Sequence, residues 1–354
     1  MNNKWEKPYL IIIVAIIIVA LCSCVKGSSG MTNILQEDLA GNLISGGYIT
    51  LYNGIYYYSN DDYRKLYQMD SNFENKEELS TQMSSFRYIQ FFENKLFYQA
   101  YDPVIPDGKS DYSYLIWSYD LKKGTESKLT SSDISVNRFN IFDGKIFFTT
   151  WWERIIANGV VVDNGIYGGQ IYRMNMDGSG LTLLGDFKDD KYIQIANGKI
   201  YLSGCYDPVL ITMDLDGSNV ESQKLDRVFA LSDLLVYKEN IYFTVIDKDP
   251  AQPEENGGIQ NPLASGLYKR SLSDSSAEPA LVVEGDIPTF TISENKIYYA
   301  IYNETEGHQK IYQTDLDGNN PQYLTSGIKP IVLGNYLFYG PNDSPDSIAW
   351  VELK

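Results

Sequence analysis

Histidine is nearly missing from this 354-residue chain: His308 is the single copy, set in the polar stretch NETEGHQK. One imidazole excludes a zinc centre built on histidines, and without a nucleophile-elbow motif it argues against a serine-type triad. His308 therefore reads as a solvated surface residue, and no metal or other cofactor is expected. Cysteine is scarce as well, with only Cys22, Cys24 and Cys205. Basic side chains are outnumbered, 29 Lys and Arg against 46 Asp and Glu, for a formal net charge of -17. A body this acidic is repelled by phosphate backbones, so nucleic acid is not an expected partner. No apolar pattern of helical period runs through the chain, which excludes a helical solenoid.

Long hydrophobic runs are also lacking, with one exception. Leu10 to Leu21 is uninterrupted and follows Lys4 and Lys7. At twelve residues it is short for a spanning helix, which needs about 20, and suits the apolar region of an export signal. The sequence Leu21-Cys22-Ser23-Cys24 that follows resembles the lipobox of bacterial lipoproteins. That resemblance implies removal of residues 1–23 and diacylation of Cys24, placing the protein outside the cytoplasm and attached to the bacterial cell membrane by lipid. Cys22 departs from the pattern, in which a small or β-branched residue is usual at that point. Cutting before Cys22 instead puts bulky Leu21 next to the cleavage site, so Cys24 is the better candidate. The alternative is an uncleaved signal anchor ending near Val25. No polybasic stretch follows, so any membrane attachment rests on acyl chains.

Residues 24–33 then form the lipidated cysteine and a small, polar tether, VKGSSGMTN from Val25, whose full extension is about 30 Å at roughly 3.3 Å per residue. Cys205 is left as the only thiol. No internal disulfide is possible, and in its strand pattern Cys205 reads as a small buried residue.

What the chain has in abundance is tyrosine, 29 in all, and internal repetition. A short aromatic or β-branched segment recurs as IYYYSN from Ile55, KLFYQA from Lys95, KIFFTT from Lys145, KIYLSG from Lys199, NIYFTV from Asn240, KIYYAI from Lys296 and YLFYGP from Tyr336. Each copy follows a strand-like segment and a tight turn, and each is followed by a third segment such as LIWSYD, QIYRMN or KIYQTD. A fourth segment closes the first six copies. Four short antiparallel strands repeated at roughly 40 to 56 residues are the signature of propeller blades. The expected fold is all-β, a seven-bladed β-propeller of four-stranded antiparallel blades over residues 34–354, with six or eight blades as the alternatives.

The second strands are apolar at consecutive positions, as a strand covered on both faces by neighbouring blades requires. Strand tyrosines then serve chiefly as packing between blades. The seventh copy ends without a fourth strand. Asn33 to Gly41 is expected to supply it, pairing on the outer edge of the last blade and closing the ring.

Variation in the repeat comes from insertions between second and third strands, starting at Tyr101, Trp151 and Asp247. Alternate hairpins of a blade point to opposite faces of the disk, so these insertions share one face. Loops on a rigid scaffold carry binding function more often than strands do. The candidate ligand-binding face comprises Tyr101, Asp102, Trp151, Trp152, Glu153, Asp207 and Asp247, with Tyr112, Asp107, Glu254 and Glu255 nearby. Aromatic and acidic groups together suit sugars or cationic partners. The motif YDPV, at Tyr101 and again at Tyr206, either belongs to this face or starts a turn with Asp-Pro.

The stretch IYQTDLDGNN from Ile311 has the look of a calcium loop. Setting Gly318 at the sixth position, however, puts Gln313 first and Leu324 twelfth, where a bidentate acid is required. Its counterparts elsewhere hold Asp-Gly, Lys-Lys-Gly or Ser-Asp, which shared ligands would not tolerate. Asp-Gly between strands is instead a hairpin signal.

The units YIQIANGKIYLSG…LITMDLDGSN and TISENKIYYAIYN…QKIYQTDLDGNNPQYLT resemble a bacterial extracytoplasmic propeller domain of unknown function. That domain is itself similar to the YWTD propeller of low-density-lipoprotein receptor-related proteins and more distantly to the TolB propeller. The YWTD sequence is absent here, and receptor YWTD propellers have six blades. The resemblance covers about Gly46 to Lys354 and brings no catalytic residues. It implies a non-catalytic binding module for a protein or cell-envelope ligand. The rival is a carbohydrate-binding protein, or a glycan-active enzyme using two carboxylates.

Overall fold

The computed structural model describes residues 42–60, 65–79, 83–101, 114–131, 134–151, 153–157, 160–166, 168–187, 191–204, 209–224, 231–245, 263–274, 276–303, 305–344 and 347–353. They belong to a compact unit, Ile34–Lys354. Blade one contains β1 (Ile49–Tyr52), β2 (Ile55–Asn60), β3 (Lys65–Asp70) and β4 (Glu77–Glu78). Blade two contains β5 (Ser84–Phe92), β6 (Lys95–Tyr101), β7 (Tyr114–Asp120) and β8 (Thr125–Lys128). Blade three is built from β9 (Val136–Phe142), β10 (Lys145–Thr150), β13 (Gln170–Asn175) and β14 (Thr182–Asp186), interrupted by a separate ribbon of β11 (Glu153–Ala157) and β12 (Val160–Ile166). Blade four has β15 (Lys191–Ala196), β16 (Lys199–Gly204), β17 (Val209–Asp214) and β18 (Glu221–Lys224). Blade five has β19 (Leu231–Tyr237), β20 (Asn240–Val245), β21 (Gly266–Ser271) and β22 (Ala280–Glu284). Blade six has β23 (Thr289–Ser293), β24 (Lys296–Asn303), β25 (His308–Asp315) and β26 (Gln322–Ser326). Blade seven shows β27 (Ile328–Leu333), β28 (Tyr336–Gly340) and β29 (Ala349–Glu352).

Every blade is an antiparallel meander, and the first strands of successive blades adjoin in cyclic order, β27 returning to β1. The ring therefore has seven blades, with the first strand of each nearest the axis. Turn chemistry sets the register. Tyr52 pairs with Ile55 across Asn53-Gly54, whose φ angles of 50° and 76° give the right-handed twist that a two-residue hairpin needs. The same positive φ recurs at Asp143, Asn197 and Glu294 in the equivalent turns.

The core is shared between blades and not confined within them. In β10, all five residues from Ile146 to Thr150 are buried. Tyr98, Tyr242, Phe243 and Phe290 are among the largest fully buried side chains, as expected of rings filling wedge-shaped gaps. Burial of each apolar side chain of this size contributes about 1.5–3 kcal/mol.

Blade seven has three strands among the described residues, and Asn33 to Gly41, expected as the fourth, lies outside them. The closure that is described is made by side chains. Tyr48, Ile49, Tyr56 and Tyr58 share a cluster with Ile331, Leu333 and Phe338 of blade seven. Phe73, from the last hairpin of blade one, stacks on Trp350 at 4.3 Å between centroids and meets Tyr336 edge-on at 4.8 Å.

Candidate functional site

The connections from second to third strand in blades two, three and five leave from Tyr101, Thr150 and Val245 and return at Tyr114, Gln170 and Gly266. Because the blades repeat one meander around the ring, these connections open on one face. Tyr101 ends β6, half-buried, with its ring edge-on to Tyr114 at 6.5 Å. The Arg87 guanidinium sits 5.3 Å over the Tyr114 ring, a cation–π contact. Trp151 follows β10 and is 49% exposed. Ser135, itself buried, ties the two insertions together at their feet: its carbonyl accepts from Trp151 N at 2.9 Å and its Oγ accepts from Tyr114 N at 3.4 Å.

Among the expected residues, Tyr101 and Trp151 are thus linked through Tyr114 and Ser135. Asp102, Trp152, Asp207, Asp247, Tyr112, Asp107, Glu254 and Glu255 lie outside the described residues, as do Cys24 and Cys205. Glu153 opens β11, but its side chain is outside them too. The insertion at Trp151, expected as a loop, contains an antiparallel ribbon of β11 and β12. The signal was present in RIIANGVVV, where Asn-Gly divides two β-branched runs.

Blade six adds to this face a group around His308, which the sequence alone marks only as surface. Its long β24 and β25 pair out to Asn303 and His308. Glu306, in the turn between them, meets Lys310 Nζ at 2.5 Å and His308 Nε2 at 3.0 Å. The hydrogen bond from Lys310, reinforced by its charge and by His308, holds the Glu306 carboxyl below the usual range. Tyr302 and Tyr323 stand exposed beside this cluster, with the Lys310 ammonium 5.9 Å over the Tyr323 ring.

The axis of the ring is occupied. Asn42 Nδ2 donates to Val332 O at 2.8 Å and its Oδ1 accepts from Val332 N at 3.0 Å, while Leu43 packs with Phe97 and Phe139 of blades two and three. Leu43 and Ile44 leave beside them a cavity of about 20 Å³, room for one water and not for a ligand. The Asn42 bonds complete a series in which buried amides bridge first strands. Gln90 pairs with Phe139 O and Ile141 N, Asn140 with Ile193 O, and Gln194 with both groups of Val236. In blade six the matching residue is Thr291, too short to bridge, and Asn42 spans the gap in its place.

On the opposite face lie the Asp-Gly turns. Asp315 Oδ1 accepts from Asp317 N at 2.9 Å and Asn319 N at 2.8 Å, and Asp317 pairs with Lys269 of blade five. These carboxylates serve a hairpin, and no cluster of metal-ligating side chains occurs among the described residues.

No family model matches the chain, and no curated protein matches it. Among solved structures it is similar to one in a nidogen/laminin complex, at 11% identity and a TM-score of 0.48, covering 77% of this chain and 92% of that one. It is also similar to the tricorn protease, at 16% identity and a TM-score of 0.44, covering 75% of this chain but only 25% of the protease. These are similarities of fold alone. The chain is a seven-bladed β-propeller. That conclusion rests on its own blades and their cyclic order.

Proposed function

We propose that this propeller is a lipid-anchored, extracytoplasmic, non-catalytic interaction module that binds a protein or cell-envelope ligand on its long-insertion face. The observation that carries the reading is the junction at Ser135, which ties the backbone at the feet of two insertions, one carrying the exposed Trp151 and the other the Tyr101–Tyr114 ring pair. Rigidly held aromatic side chains are the usual anchors of an interface, because they supply contact area at small entropic cost. Lipid attachment rests on the motif around Cys24.

The test is photo-crosslinking from position 302, exposed on the same face, in intact cells, with the probe placed both in the otherwise unchanged protein and in the Trp151→Ala/Tyr101→Ala double variant. Discrete adducts with wild-type geometry, lost in the double variant while the melting temperature holds, support the reading. Unchanged capture by the folded double variant sinks it, and turnover of a glycan by the purified protein transfers the function to a carbohydrate-active enzyme. Acyl labelling that persists in Cys24→Ala excludes that cysteine as the anchor.

A further inference from the structure

In three blades the hairpin between third and fourth strands presses on the blade before it. At Gly178 of blade three, a Cβ would lie 2.7 Å from the Leu129 carbonyl oxygen of blade two. At Gly217 of blade four it would lie 2.9 Å from the Leu184 oxygen of blade three, and Gly318 of blade six abuts the Val282 carbonyl of blade five. A cation on the third strand of the preceding blade completes two of these latches. Arg173 Nη1 donates to Leu215 O at 3.2 Å, and Lys269 pairs with Asp317.

Blade five breaks the pattern on both sides of its boundary with blade four. Its hairpin is longer, Lys269 pairing with Ala280 where Thr212 pairs with Glu221, and Asp274 takes the part of Asp177 and Asp216 in holding the turn, accepting from Ser276 N at 3.0 Å. Thr212 stands where blades three and five have their cation: it pairs with Tyr201 as Arg173 pairs with Phe147 and Lys269 with Tyr242. This hairpin contains no glycine to make the close approach, and a threonine does not span to the next hairpin. The boundary between blades one and two also lacks the glycine contact, but there Tyr52 stacks on Phe91 at 3.4 Å across it. Between blades four and five nothing described does so, and a groove of about 480 Å³ remains.

That volume falls within the roughly 300–1,000 Å³ of small-molecule sites. Leu210 and Leu272 supply apolar surface, and Thr212, Glu221, Gln223 and Ser273 supply hydroxyl, carboxylate and amide groups. Gln223 Nε2 is buried and has no hydrogen-bond partner among the described residues, a donor that costs free energy until a ligand accepts from it. Lys199, also in the lining, lies 4.0 Å from Asp214, so neither charge dominates. Balanced charge excludes a phosphate-selective site, and a single carboxylate is too few for a hard cation. Apolar patches beside paired donors and acceptors match the C–H face and hydroxyls of a sugar ring.

We infer that the groove between blades four and five binds a neutral sugar unit, of mono- or disaccharide size. It lies on the face opposite the long insertions and stands independently of the role proposed for them.

Calorimetry and saturation-transfer NMR on the full-length protein, with glucose, N-acetylglucosamine, maltose and chitobiose as probes, test the inference. At least one of these sugars is expected to bind saturably at one site per chain. Gln223→Leu should weaken that binding at least ten-fold without lowering the melting temperature. Thr212→Arg, which supplies the missing latch cation and occupies the groove, should abolish it, and it reads the site even if Gln223→Leu fails to fold. Trp151→Ala should leave it unchanged. Absence of saturable binding by all four sugars, or undiminished binding by Thr212→Arg, overturns the inference.

Discussion

Gly318 and Gly54 have similar backbones, with φ of 81° and 76°, but different surroundings. A Cβ at Gly54 meets nothing within 4 Å, whereas one at Gly318 meets the Val282 carbonyl of the preceding blade. Gly54→Ala should therefore cost only the left-handed penalty, about 1–2 kcal/mol. Gly318→Ala should cost that plus a forced separation of blades five and six, at least about 1 kcal/mol more by the usual toll of overpacking. Denaturant titration compares them, and equal losses would mean that the hairpin does not latch the blades. The Asp-Gly turn was legible in the sequence, but its use as a latch was not, because the carbonyl it approaches lies some 35 residues away. Gln90 and Gln194 teach the same lesson. Each interrupts an apolar strand at the same place, and only the adjoining strand shows what its amide satisfies.

At the scale of elements, the hairpin of blade one does work that no other hairpin among the described residues does. Phe73, at φ 64°, reaches back to stack on Trp350, while Tyr56 lies 5.0 Å from Phe338 between centroids. Phe73→Ala should loosen the seam where the ring closes. Because Phe73 is half-buried, the expected loss is about 1–3 kcal/mol, below the 3–5 typical of a fully buried phenylalanine. Hydrogen exchange should quicken in β1 and β27 ahead of β15 and β19. Uniform exchange around the ring would place the closure elsewhere. The strands themselves were readable, since each second strand carries its run of buried residues. The ribbon of β11 and β12 is not legible in the repeat, because it falls outside it.

The whole molecule should lose stability at both ends of the pH scale, for opposite reasons. Asp177, Asp216 and Asp274 accept from a serine hydroxyl and then from backbone N–H groups, and Asp315 from the Asn319 N–H first; all four titrate below the usual 3.8. A depressed folded-state value adds stability that is complete above 3.8 and drains away as pH falls through it. Tyr56, Tyr242 and Tyr299 move the other way: burial pushes each from 10.0 to about 12. Their contribution is complete below 10 and is lost as pH rises towards 12. Melting temperature should thus be level from about pH 5 to 9 and fall outside that window. A steep slope inside the window would contradict this account.

Much of this architecture was decided by the sequence alone. Hairpin signals and buried strand runs are local, and seven copies of them admit few arrangements that cover both faces of every sheet. The site was legible only in outline, as a face, because insertions reveal which side of a strand they leave but not what they meet. Tertiary structure decided the rest: that Ser135 joins two insertions, that Asn42 fills the place of an absent glutamine on the axis, and that Thr212 and Ser273 face each other across a groove. Each is a contact between blades, and its partners become neighbours only when the ring closes.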